Sequence, residues 1–383
     1  MALHFDPAEF SARRARLDAA LDAAGLDGLL MFAQESMYWL TGYDTFGFCF
    51  FQCLYVDTAG TTALLTRSAD LRQAQHTSNI DDIRIWRDAA GATPAGQLKD
   101  MLSSLGTAGK RLGIEYESYG LTAANGRAVD AALDGFCTLE DASGLVTRLR
   151  AVKSPAELAY VRKAAELGDR AYEAALSQIG AGADEGDILA AMQGAIFAGG
   201  GDYPANEFII GSGRDALLCR YKAGRRQLDP RDQITLEWAG VYRHYHAALM
   251  RTVCIGEATP RHLELHAAAA EALHEVEATI APGRSAGDVY QAHARVMDKH
   301  GVEDHRLAAC GYSLGAKFTP SWMDWPMFYD GNPWVLEPGM VMFAHMIIMD
   351  STTGTAMCLG RTSLVTETGS EVLSRASLDL EVK

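Results

Sequence analysis

Glu237 stands in the middle of Ile-Thr-Leu-Glu-Trp-Ala, an apolar run with strand character, where a carboxylate is costly unless it meets a cation. That makes it the first candidate for chemistry, against the plain alternative of a half-exposed residue on an alternating strand. His244 and His246 follow on the return stretch and share parity with Ala248, so alternation aims both toward one face. Imidazoles there are placed to shuttle protons near neutral pH, although a satisfied structural histidine is the ordinary alternative. Arg220 precedes Tyr221 in the stretch Asp-Ala-Leu-Leu-Cys-Arg-Tyr. Its planar fork matches a carboxylate in two bonds, which implies a carboxylate-bearing ligand, with Arg225 and Arg226 as rivals and a solvated surface arginine as the bland reading. Trp322, Trp325, Phe328 and Trp334 crowd thirteen residues, a density suited to binding a delocalised cation, with core packing the default for any one of them.

The elements that must position these groups fall into two parts. Up to about residue 150, helix-like and strand-like patterns alternate: an amphipathic helix over 7–24, then strands at 28–32, 48–56, 83–86 and 112–115, which is an α/β domain. At Ser154-Pro-Ala-Glu157 the pattern becomes a long helix with Ser154 as N-cap and Pro155 in its first turn. The boundary is therefore set at 150/151. Beyond it, helices at 155–178, 185–198, 260–279 and 285–300 flank strands at 206–211, 233–254 and 340–349, a helix-over-sheet, α+β composition. The glycines at 199–201 form a turn, not a phosphate loop.

With 383 residues, 48% hydrophobic, the chain is long enough for two cores. A net charge of −15 without a basic stripe argues against nucleic acid or an anionic membrane as partner. No signal peptide or spanning run is visible, so a cytoplasmic location is expected. Seven cysteines without a CxxC pair read as reduced, mostly buried thiols. Cys49 and Cys53 read as strand residues, and a catalytic thiol at Cys219 or Cys310 is the minor alternative.

The motifs around these residues resemble those of the pita-bread family, which includes creatinase, prolidase, aminopeptidase P and methionine aminopeptidase. In that family a β-hairpin carries two metal-binding aspartates, the second three residues before an Arg-Thr pair. Arg251-Thr252 sets the register here and places Glu237 and Ala248 at those positions. Cys310-Gly-Tyr-Ser-Leu-Gly315 is similar to the family's glycine-rich turn, with Tyr312 where its ligand histidine stands. After Pro338-Gly-Met-Val341 the expected glutamate is His345, and before Leu364-Val-Thr-Glu-Thr-Gly369 the last glutamate is Gly360. All five ligand positions differ and one keeps a carboxylate, so the resemblance implies a chain without metal or other cofactor. The segment 34–52 resembles the N-domain of creatinase-like enzymes of the ectoine hydrolase branch.

The resemblance implies an α/β N-terminal creatinase-like domain plus an α+β pita-bread C-terminal domain, and a homodimer in which Asp44, Phe46 and Phe48 reach the neighbouring subunit's pocket. It also implies hydrolysis of a small zwitterionic amidine, ectoine foremost. Catalysis would fall to Glu237, His345, His246 and Tyr312, and binding to Arg220, Tyr221, His244, Trp322, Trp325, Asp44 and Phe46. The product, an N-acetyl-2,4-diaminobutyrate, calls for a downstream deacetylase. Creatine or hydroxyectoine as substrate, a metal-dependent Xaa-Pro peptidase and a non-catalytic binding scaffold are the alternatives.

Overall fold

A computed structural model of the chain describes residues 3–220 and 224–383, which divide into two compact units, Met1–Arg150 and Ala151–Lys383. The N-terminal unit runs α1 (Pro7–Ala24), β1 (Gly28–Met31), α2 (Gln34–Thr41), β2 (Cys53–Asp57), β3 (Thr62–Arg67), α3 (Leu71–Thr77), β4 (Asp82–Trp86), α4 (Pro94–Ser104), β5 (Arg111–Ile114), α5 (Ala123–Leu133), β6 (Thr138–Asp141) and α6 (Ser143–Ala151). Its strands form a mixed sheet in the order β4-β3-β2-β1-β5-β6. Alternation divides the sheet's apolar residues between two cores. Leu30 and Tyr55 join Leu98 of α4 and Val129 of α5, whereas Leu29, Leu54 and Val56 join Leu17 of α1 and Val146 of α6.

One reading of this unit needs correction, and one helix was not read from the sequence. The stretch from Phe48 begins as a 3-10 turn, Gly47–Cys49, so Cys49 is not a strand residue and β2 starts only at Cys53. The run Gln34–Thr41 is helix α2, almost wholly buried; the chain leading into it is anchored by Glu115, which accepts from the Phe32 and Ala33 N–H groups at 2.9 and 2.8 Å and from Ser36 Oγ at 2.6 Å.

The C-terminal unit continues with α7 (Pro155–Gln178), α8 (Glu185–Ala198), β7 (Ile209–Ser212), β8 (Asp232–Tyr242), β9 (Tyr245–Ile255), α9 (Pro260–Thr279), α10 (Ala286–Lys299), β10 (Ala309–Ser313), β11 (Asp324–Tyr329), β12 (Val341–Asp350), β13 (Thr355–Val365), β14 (Ser370–Val372) and β15 (Glu381–Val382). Among the described residues the strands form one sheet, β11-β10-β12-β13-β9-β8-β7, with β14 added to β13 and β15 to β9. Helix starts are written locally: Ser154 and Glu157 close a capping box on α7, and Ser285 and Asp288 do so on α10.

Helices cover one face of this sheet, and alternation decides which residues they leave to the other. Met342, Ala344, Met346 and Ile348 of β12 and Met357 and Leu359 of β13 pack with α9 and α10. Trp238 of β8 donates its indole N–H to the Gly168 carbonyl of α7 at 2.9 Å and stacks on Tyr172. Gly240 passes so close to α7 that a Cβ there would lie 1.9 Å from the Ala164 oxygen. The residues between these, Glu237, Phe343, His345 and Gly360, therefore belong to the opposite face. The hairpin of β8 and β9 turns through Arg243 and His244, both at positive φ (52° and 64°), the two-residue form whose backbone twist matches its strands.

Candidate active site

Three strands bring three polar side chains together. Glu237 projects from β8, Tyr312 from β10 and His345 from β12, directly opposite Gly360 of β13. The Tyr312 hydroxyl donates to Glu237 Oε1 at 3.3 Å, and the Tyr312 and His345 rings lie 5.5 Å apart. Phe343, two residues before His345 on the same face, sets its ring edge-on to Tyr312 at 5.3 Å and tilts against His345 at 5.5 Å. Parity with His345 was the signal by which Phe343 could have been found.

Burial governs the protonation of this cluster. Glu237 keeps slight exposure, yet the surrounding protein pushes its carboxyl up to about 7; the Arg220 charge and the Tyr312 hydrogen bond pull the other way. Burial lowers His345 to about 4, so its ring is neutral at pH 7, and its fully buried Nδ1 has no hydrogen-bond partner among the described residues. The Tyr312 phenol is pushed well above its usual range by burial and by the Glu237 charge, which keeps its proton on. Arg220, exposed on the loop after the 3-10 turn Gly213–Leu217, supplies the cation that all three groups feel. Cys219 and Cys358 also face the Glu237 charge, and burial first, then that charge, raises the Cys219 thiol; it is therefore no ready thiolate. Cys310 lies in the core under the helices, where burial pushes its thiol up as well.

Trp322 closes one side. It is 1% exposed, donates its indole N–H to the Tyr312 oxygen at 2.9 Å, and takes ring contacts from Phe208 at 6.5 Å and His246 at 6.2 Å. Asn206, which sequence reasoning passed over, accepts the Trp322 backbone N–H at 3.1 Å.

The two expected histidines of the hairpin stand apart from this cluster. His246 is fully buried with both nitrogens engaged: Nε2 accepts the Ala205 N–H at 2.9 Å and Nδ1 lies 3.4 Å from the Gly315 oxygen. Burial holds it near 3, so the ring braces two backbone segments instead of shuttling protons. His244 sits in the hairpin turn, where strand parity has no meaning, and stacks on Phe318 at 4.2 Å. The aromatic wall is likewise smaller than its sequence density suggested. Phe328 and Trp334 pack with the core under α9 and α10, and Trp325 stands 40% exposed on edge strand β11, because alternation sends neighbours to different sides. Tyr221 lies outside the described residues. In the N-terminal unit Asp44 is anchored by its backbone, its N–H donating to Thr77 Oγ1 at 3.1 Å; Phe48 is buried and Phe46 is 79% exposed.

The donor set does not fit a pair of divalent cations. Ala248 and Gly360 offer no side-chain donor, and a Cβ added at Gly360 would lie 2.9 Å from Phe343 Cε2 and 3.0 Å from the Ala344 oxygen. The Phe343 ring thus fills the space a ligand side chain would need. Glu237 and His345 alone remain as ordinary ligands, and among the described residues no group of three or more His, Cys, Asp or Glu side chains is placed to hold a metal.

Comparison with known proteins matches residues 159–367 to metallopeptidase family M24 and residues 13–152 to the creatinase/prolidase N-terminal domain. The chain is 27% identical over its full length, and over 99% of the relative's, to an ectoine hydrolase of Halomonas elongata. It is 24% identical to the Xaa-Pro dipeptidase of Pyrococcus furiosus over 62% of this chain and 66% of the relative. Among solved structures, the prolidase of Thermococcus sibiricus superposes with a TM-score of 0.88 at 19% identity, covering 98% of this chain and 99% of that one. The dipeptidase PepE of Mycobacterium ulcerans gives 0.84 at 24% identity, over 99% of both chains. The fold is accordingly that of the pita-bread prolidases, with a creatinase-type N-terminal domain. Among the described residues no helix is long and apolar enough to cross a membrane.

Proposed function

Since the chain belongs to metallopeptidase family M24 and carries the creatinase/prolidase N-terminal domain, we propose that it is a hydrolase that opens a C–N bond of a small zwitterionic cyclic amidine, ectoine foremost, without a metal ion. The observation that carries this reading is the pairing of Glu237, poised near neutral pH beside the Tyr312 hydroxyl and the Arg220 charge, with positions 248 and 360 that have lost their donors. The full-length similarity to an ectoine hydrolase supports the choice of substrate.

Ectoine joins a delocalised amidinium to a carboxylate. Arg220 takes the carboxylate by charge-assisted hydrogen bonds, and the amidinium lies against ionised Glu237. Glu237 accepts a proton from a water molecule whose oxygen adds to the amidinium carbon. As the C–N bond of the tetrahedral adduct breaks, the carboxyl returns that proton to the departing ring nitrogen. The hydroxyl proton, relayed by neutral His345, follows to the same nitrogen, which leaves as an ammonium while the carbon becomes an acetamide. Tyr312 keeps its proton throughout and steadies Glu237 by hydrogen bonding. Direct attack by the carboxylate gives the same products through a covalently modified Glu237; acid quench and intact-protein mass separate the two routes. The reading includes a homodimer, which light scattering tests.

Chelator-treated protein, assayed for metal content, is to be incubated with ectoine, hydroxyectoine, creatine and an Xaa-Pro dipeptide, and the products followed by proton NMR. An N-acetyl-diaminobutyrate from metal-free protein is the expected result. Dipeptide cleavage that needs added metal, with no amidine opened, would overturn it.

A further inference from the structure

Tyr312 has one proton to give and two lone pairs to offer, and the structure settles how they are used. An indole N–H can only donate, so at its 2.9 Å contact with Trp322 the phenol oxygen is the acceptor. The single phenolic proton must then point elsewhere, and Glu237 Oε1, 3.3 Å away, is its partner. We infer that Trp322 is a positioning residue: by filling the acceptor side of Tyr312 it commits the phenolic proton to Glu237.

The indole can impose that direction because it is held on several sides. Its backbone N–H is tied to Asn206 Oδ1 at 3.1 Å, and its ring is flanked by Phe208 and His246. His246 is itself pinned by the Ala205 N–H and the Gly315 carbonyl, so residues 205–208, the β9 histidine and Trp322 form one rigid support. Trp322 is thus more than a wall for the substrate; it acts on Glu237 through Tyr312. Among the described residues the titratable groups that interact electrostatically with Glu237 are Arg220, Tyr312, Cys219 and Cys358, and of these only Tyr312 also receives a bond from Trp322.

The inference deepens the proposed function and rests on it for its kinetic arm only. Trp322→Phe keeps an aromatic ring and removes the N–H. Turnover is expected to fall roughly tenfold while KM shifts much less, and the acid limb of kcat/KM should move to higher pH, because Glu237 loses its donor for part of the time. In a Tyr312→Phe background the same change should add little, since there is no phenolic proton left to orient. Losses that multiply across the two sites would overturn the inference. An arm free of any substrate uses proton–nitrogen spectra of the ligand-free, full-length protein, in which the Trp322 indole resonance is identified by its absence in Trp322→Phe. It should move upfield in Tyr312→Phe; an unmoved resonance refutes the hydrogen bond itself. A moved resonance in a protein that opens no amidine upholds the orientation and sinks the substrate reading instead.

Discussion

Glu237→Gln separates the two roles of the buried carboxylate, because it should stop turnover and strengthen the fold at the same time. Burial holds this carboxyl at about 7 instead of its ordinary 4.5. The native state therefore binds a proton that the unfolded chain has released, and stability falls as pH rises from about 4.5 to about 7. Below that window both states are protonated and nothing is lost; above it the full cost of the buried charge is present. At about 1.4 kcal/mol for each tenfold change, the cost reaches at most about 3.5 kcal/mol, and slight exposure of the group reduces it to about 1–3 kcal/mol. Glutamine keeps the shape and has no charge to bury. Denaturant unfolding of both proteins at half-unit steps from pH 4.5 to 8.5 should show the variant level with wild type at the acid end and ahead by about 1–3 kcal/mol above pH 7.5, with turnover down at least about a hundredfold. A gap that does not depend on pH, or a variant less stable than wild type at pH 8, would refute the burial argument. Wild-type turnover would remove Glu237 from the chemistry.

Arg220→Ala should raise the substrate Kd, measured by calorimetry, by roughly 10- to 100-fold, and should move the acid limb of activity upward, since the Arg220 charge lowers the Glu237 carboxyl; unchanged affinity would place the carboxylate clamp elsewhere. His246→Phe strands the Ala205 N–H and should lower unfolding free energy by about 1–3 kcal/mol while leaving the shape of the pH–rate profile intact; a large kcat loss at full stability would mean that the ring carries protons after all. Gly240→Ala should destabilise by about 3 kcal/mol or more, because the atoms its Cβ meets, the Ala164 oxygen at 1.9 Å and the Gly168 nitrogen at 2.3 Å, are helix backbone that cannot swing aside; denaturation midpoints within about 1 kcal/mol of wild type would contradict that.

The long helices of the C-terminal unit were legible because their signals are local. Ser154-Pro155 and Glu157 mark the start of α7 within four residues, and α7, α8 and α9 span 155–178, 185–198 and 260–279 as the periodicity indicates. Helix α2 was not legible: with both ends of Gln34–Thr41 buried, no polar face alternates with an apolar one, and the carboxylate that anchors its approach, Glu115, is about eighty residues away. Strand β13 escaped for the related reason that it is covered nearly throughout, so its sequence shows no period of two. In the site, Glu237, Tyr312 and His345 were readable one at a time from motif register. Their mutual geometry was not, nor was the withdrawal of His246, which depends on a backbone N–H from a loop forty-one residues earlier. His244 was misread because a turn of two residues at positive φ interrupts the strand without a glycine to announce it.

The way β9 is completed has a bearing on when this unit can fold. One edge of the strand is closed at once by β8 through a turn of two residues, but the other waits for β13 and β15. Arg251, buried in that strand, spends its guanidinium on the carbonyls of Met250, Gly360, Ala376 and Ser377, the last of them 126 residues downstream. At roughly 5–20 residues per second of synthesis, the hairpin stands on the order of ten seconds with an open apolar edge and an unsatisfied cation before those carbonyls emerge. The six-stranded sheet of the N-terminal unit closes entirely within its own first 141 residues. One unit can therefore mature on the ribosome, while the half that bears Glu237 is exposed to mispairing until the chain reaches β15, and slower, cooler expression with chaperone present should raise its soluble yield more than any change to the N-terminal unit.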